Sequence, residues 1–109
     1  IKPFYREHIF IRSNGRFLRI SFWDIIYVEG MKDYLKIHTT EHTIITHQTM
    51  SELANIIPSD QFLRIHKSYM VAVARIKAVF GNSVDMGNIL LPIGLNHKEK
   101  VMQFIAGHP

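Results

Sequence analysis

The sequence predicts a compact, mostly β domain: a multi-stranded antiparallel fold with two short helices. Three observations lead there. Short apolar stretches of alternating polarity fill most of the 109 residues, and turn-forming pairs such as Asn14-Gly15 and Gly81-Asn82 separate them. Only two windows switch to helical spacing. The length suits one hydrophobic core and is too short for two.

The elements follow in order. Residues 8–12 and 17–20 flank "SNGR", in which Asn14-Gly15 supplies the positive backbone dihedrals of a tight hairpin turn. Residues 25–29, 34–39 and 43–46 continue as three short strands separated by "GMKD" and "TEH". In "TMSELANIIP", Met50, Leu53, Ala54 and Ile57 fall on one helical face, Thr49 and Glu52 are spaced as a reciprocal capping box, and Pro58 stops the helix. Strands are expected at 63–66, 70–73, 76–80, 83–86 and 89–91, with turns at Gly81-Asn82 and Gly87-Asn88. Asn96 then caps a second helix with Glu99 at its third position, an apolar stripe of Val101, Phe104 and Ile105, and Gly107 as terminator. Residues 1–7 read as a linker remnant, 8–106 as the domain and 107–109 as a tail, so the chain is expected to be a piece of a longer protein.

Composition excludes several chemistries. The chain has no cysteine, which removes disulfides, zinc–thiolate sites and a cysteine nucleophile and favours a reducing compartment, so a cytoplasmic location is expected. No run of about 18 apolar residues or export-signal layout occurs, and no membrane contact is expected from this segment. The net charge of +4 is modest, but its distribution is informative. Residues 61–84 contain no acid while Arg64, Lys67, Arg75 and Lys77 are basic, a field that attracts phosphates.

The stretch "FLRIHKSYMVAVARI" (62–76) looks like a buried strand interrupted in its first half by Arg64, His66, Lys67 and Ser68. Strand alternation cannot turn Leu63, Ile65 and Tyr69 all inward unless the chain bends or bulges near Lys67-Ser68. Such a bend is expected to push the four polar residues onto one exposed ridge. The plainer reading is a solvated outer face with a structurally hydrogen-bonded His66, but four donors with no nearby acid suit phosphate oxygens and base edges.

Together "IIYVEGMKDYLKIHT", "TMSELANIIP", "FLRIHKSYMV" and "ILLPIG" give the chain, over about residues 8–105, a resemblance to the LytTR DNA-binding domain, the output module of LytR/AlgR-type bacterial response regulators. The resemblance implies a predominantly β fold that meets duplex DNA through loops at one edge of its sheets. Carried over, the contact positions are Lys32 and Tyr34, then Arg64, His66, Lys67 and Ser68, then Asn96 and Lys98. Where the family often presents a base-reading arginine after "LPIG", this chain has Leu95, which cannot donate a hydrogen bond but can touch a thymine methyl, so Asn96, His97 or Lys98 is expected to share or replace that role. Most affinity is expected from phosphate contacts by Arg64, Lys32, Lys98 and Lys100, with Ser68 a neutral donor. Lys67, and His66 or Tyr34, are the candidates for base edges. Glu29 and Asp33 are expected to orient Lys32 or Arg64 from behind.

The expected function is therefore sequence-specific duplex DNA binding in transcriptional control, within a two-component phosphorelay. Promoter repeats are the expected target, with an N-terminal receiver domain and pairing of two copies on DNA. No cofactor, metal or catalytic residue is expected. Two rivals remain open. An enzyme or metal site would recruit His38, His42 and His47, or Ser68 beside His66, but neither set has a completing acid or cysteine. An RNA-binding or protein-interaction module would use Phe10, Tyr34 and Phe80 beside basic residues.

Overall fold

The computed structural model describes residues 7–107; of the linker expected at 1–7 and the tail expected at 107–109, residues 1–6 and 108–109 lie outside them. The first hairpin pairs β1 (His8–Ser13) with β2 (Arg16–Ser21), closing on Ser13 opposite Arg16. Asn14 and Gly15 take φ of 57° and 80°, the positive values that a tight two-residue turn demands. A single helical turn, Phe22–Asp24, is capped by the Ser21 hydroxyl, which accepts from the Trp23 amide at 3.3 Å.

The central sheet has five antiparallel strands in the order β5-β4-β3-β7-β6. These are β3 (Ile25–Gly30), β4 (Leu35–Thr39), β5 (Thr43–Thr46), β6 (Phe62–His66) and β7 (Tyr69–Ala72). A third sheet is formed by β8 (Ala78–Phe80), β9 (Ser83–Asp85) and β10 (Leu90–Pro92). Helix α1 (Met50–Ala54) connects β5 to β6, and α2 (Lys98–Ala106) follows β10.

Each face of the central sheet buries its own core. Val28, Leu35, Ile37, Ile44 and Met70 pack with Ile11 and Ile20 of the hairpin and with Met50 and Leu53 of α1. Leu63, Ile65 and Val71 pack on the opposite side with Val84, Leu91, Ile93 and Val101. The result is three layers with the five-stranded sheet in the middle, its strand ends left free to carry loops.

Two helix boundaries differ from expectation. Both arms of the capping box are present, Thr49 Oγ1 accepting from the Glu52 amide and Glu52 Oε1 from the Thr49 amide. Yet α1 ends at Ala54, because Pro58 disfavours helical geometry at Ile57; Ile57 is nonetheless buried and Ala54 is exposed. Asn96 does not cap α2. It lies in a preceding tight turn, Leu95–His97, and the helix starts at Lys98 with no side-chain cap. Residues 76–77 also leave the expected strand, because a helical turn at Val73–Arg75 delays β8 to Ala78.

Candidate nucleic-acid interface

At one end of the central sheet, three connections come together. The first is the 31–34 loop between β3 and β4, closed by the Met31 amide donating to the Tyr34 carbonyl at 2.8 Å. The second is the Lys67-Ser68 turn between β6 and β7. The Gly30 amide donates to the Ser68 carbonyl at 2.7 Å and so ties these two connections into one surface. The third is the segment 94–97 ahead of α2, where the Gly94 amide donates to the Ile65 carbonyl at 2.7 Å.

The interruption in β6 is a bulge. Arg64 pairs with Met70 and His66 with Tyr69, so Ile65 is an extra residue on one strand. The alternation therefore slips: Arg64 shares the face of Met70 and the first core, whereas His66 shares the face of Tyr69, which packs against the second. The expected single ridge is thus corrected to a bent strand end whose polar groups leave from two faces and meet at the tip.

Most of those groups are locally committed. Arg64 donates from Nε to the His66 carbonyl at 3.3 Å and from Nη2 to the Lys67 carbonyl at 2.7 Å, wrapping its guanidinium around the turn. His66 Nδ1 accepts from the Ser68 amide at 3.0 Å, which leaves Nε2 as the proton-bearing nitrogen. Lys67 alone among positions 64–68 is exposed. Lys32, Asp33, Arg64, Lys67 and Ser68 line one groove of about 500 Å³ with Gln48 and Thr49 at the start of α1.

A second grouping forms on the other side of Arg64. Gly94 sits so close to His66 and His97 that a Cβ there would lie 3.3 Å from Cδ2 of the first and Nδ1 of the second. The pKa of His97 is lowered, first by burial, then by Arg64, His66 and Lys100, so the third connection belongs to the same positive field. His97 is one of the three residues, with Asn96 and Lys98, that the sequence offers in place of the family's arginine. Leu95, 90% exposed, stands free beside it.

Other expected residues sit differently. Lys98 Nζ donates to Asn82 Oδ1 at 2.6 Å, anchoring α2 to the β8–β9 turn. Lys100 and Asn96 are exposed. Tyr34 is half-buried, its ring edge-on to His47 at 6.1 Å. Glu29 orients neither Lys32 nor Arg64: its Oε1 pairs with His38 Nε2 at 3.2 Å, and Tyr27 stacks on that imidazole with ring centroids 4.2 Å apart. The Tyr27 phenol is raised by burial, then by Glu29 and Tyr69. His38 faces Glu29 and His47 faces the Asp33 carbonyl, and among the described residues no three metal-binding side chains converge.

The family model of the LytTr DNA-binding domain matches residues 15–102. The chain belongs to the LytTr DNA-binding domain family. A solved LytTr DNA-binding domain from Bacillus cereus superposes with a TM-score of 0.81 over 94% of this chain and 98% of that one, at 19% identity, which establishes the shared fold. The CO-responsive transcriptional regulator RcoM of Rhodospirillum rubrum is 37% identical over 54 residues, half of this chain. The LytTr chain spans only 23% of that relative's length. Among the described residues no helix is long and apolar enough to cross a membrane.

Proposed function

We propose that this LytTr domain binds duplex DNA sequence-specifically through the bent end of its central sheet, as the effector module of a bacterial transcriptional regulator. The observation that carries the proposal is the union of three connections by the Gly30–Ser68 and Gly94–Ile65 hydrogen bonds. That union holds Lys32, Lys67 and the Arg64–His97 neighbourhood on one continuous surface. Four strand spacings of about 4.8 Å make the end roughly 19 Å wide, comparable to five or six base pairs.

Roles follow from exposure and commitment. Lys67 reaches outward and reads a base edge; Lys32 and Lys100 meet phosphates. Arg64 shapes the turn and adds charge, and Ser68 supplies backbone rather than hydroxyl contacts. His66 Nε2–H, Asn96 and Tyr34 are available donors, and Leu95 touches a thymine methyl in place of the family's arginine. Lys98 positions α2. The domain acts without catalysis, in the cytoplasm, downstream of a receiver domain in a phosphorelay, with two copies on repeated promoter elements.

The RNA-binding rival fares worse on geometry. Single-strand binders stack bases on exposed aromatics, yet Trp23 is at the opposite end of the sheet, Phe80 is on the β8–β9 hairpin, the Phe17 ring is covered by the Arg12 guanidinium, and Tyr34, the aromatic of the three connections, is half-buried with its ring edge-on to His47. Selection from a random duplex pool, followed by competition with single-stranded RNA of equal length, tests the proposal. Enrichment of a defined motif that RNA does not displace supports it; no enrichment, or preferential RNA binding, refutes it.

A further inference from the structure

We infer that the tip of the β1–β2 hairpin, led by Arg16, forms an additional contact to the sugar-phosphate backbone of the same duplex, just outside the segment covered by the three connections. The inference rests on the proposed use of that sheet end. The hairpin lies lengthwise along the domain. Its base is at the opposite end, where the Phe22 amide donates to the Glu7 carbonyl and the Thr40 amide to the Asp24 carbonyl.

Six residues of β1, at about 3.3 Å each, carry the chain roughly 20 Å toward the DNA-facing end. There Ser13 Oγ donates to the Ile45 carbonyl at 2.6 Å. Ile45 precedes Thr46, and Thr46 pairs with Leu35, the residue immediately after the 31–34 loop. The tip is thus fastened beside edge strand β5 at the same end of the domain.

Charge is graded along the hairpin in the matching sense. Residues 8–23 contain Arg12, Arg16 and Arg19 and no acid, whereas Glu7 and Asp24 lie at the base. Arg16 is exposed, and its side chain has no hydrogen-bond or ion-pair partner among the described residues. As the pairing partner of Ser13 it leaves the hairpin on the same face, the one turned toward β5. Arg12, on the other face, lies over the Phe17 ring at 5.5 Å and adds to the field at the tip. The positive φ values at Asn14 and Gly15 hold this placement in a tight turn, so little order has to be gained on binding.

The test uses the 109-residue chain, the selected duplex with ten base pairs of flank on each side, and the same duplex trimmed to the motif. Fluorescence anisotropy is measured across a salt series for Arg16→Ala, Arg16→Lys and Lys67→Ala. Arg16→Ala is expected to bind the flanked duplex about threefold or more weakly, with a salt slope reduced by about 0.9, and the trimmed duplex as the parent does. Arg16→Lys should retain most of the affinity. Parent-like binding of Arg16→Ala to the flanked duplex, with Lys67→Ala still impaired, overturns the inference alone. Parent-like binding by both variants removes the interface reading as well.

Discussion

Arg64 and Lys67 are joined through the backbone: Nη2 of Arg64 donates to the carbonyl of Lys67 over 2.7 Å while its Nε reaches the His66 carbonyl. An arginine that looked like a phosphate ligand thus also builds the turn presenting its neighbour. A lysine keeps the charge but cannot bridge two carbonyls with a planar fork. Arg64→Lys and Arg64→Ala should therefore both lose about 1–2 kcal/mol by urea unfolding, reduced for partial exposure, and both should bind the selected duplex more weakly. Full affinity in Arg64→Lys would make the residue a simple charge contact.

Glu29 faces His38 across the sheet, away from the loop lysines. Both side chains are partly exposed, so the pair contributes about 0–1 kcal/mol. Glu29→Gln is expected to shift the melting temperature only slightly and to leave DNA affinity unchanged. A clear loss of affinity without loss of stability would restore an orienting role toward Lys32 or Arg64.

Gly94 is a close-approach glycine. An added methyl would sit 3.4 Å from the His66 Cα as well as against both imidazoles, so His66 and His97 must give way. Gly94→Ala is expected to cost about 1 kcal/mol of stability and to weaken DNA binding more than Ala substitution at exposed Asn96. Calorimetry and anisotropy on the same preparations check both parts.

His97 carries a pKa lowered from 6.5 by burial and by Arg64, His66 and Lys100. The folded chain then binds fewer protons at this site than the unfolded chain does. Its effect on stability is absent well above pH 6.5 and becomes a loss as pH falls through 6.5 toward the lowered folded value. Phosphates beside the ring would raise that pKa, so affinity should increase over the same interval as DNA binding takes up a proton. His97→Gln is expected to flatten both pH profiles; an unchanged affinity profile would place His97 away from the DNA.

The strands and turns were legible because alternation and turn chemistry are local: Asn14-Gly15, Gly81-Asn82 and the Thr49–Glu52 capping box each carry their geometry in two to four residues. The bend after Arg64 was legible as a conflict of alternation, but not its consequence, since a one-residue bulge at Ile65 sends Arg64 and His66 to opposite faces. The partners of Glu29 and Lys98 depend on strand pairing and, for Asn82, on a turn more than ten residues distant. No spacing rule contains that information. The N-cap at Asn96 failed because the 94–97 segment first closes a tight turn through the His97 amide and Gly94 carbonyl.

The two ends of the central sheet are chemically distinct, with Lys32, Lys67 and Lys100 at one and the 70%-exposed Trp23, held by Arg75, at the other. Amide chemical-shift mapping during titration of the chain with the selected duplex distinguishes them in one experiment. The expected pattern is large shifts at 31–34, 66–68 and 94–100, with Trp23, Lys77 and Gly87 unmoved. Shifts concentrated at 22–24, 75–77 and 87–89, with Lys67 silent, would show that the duplex binds the opposite end.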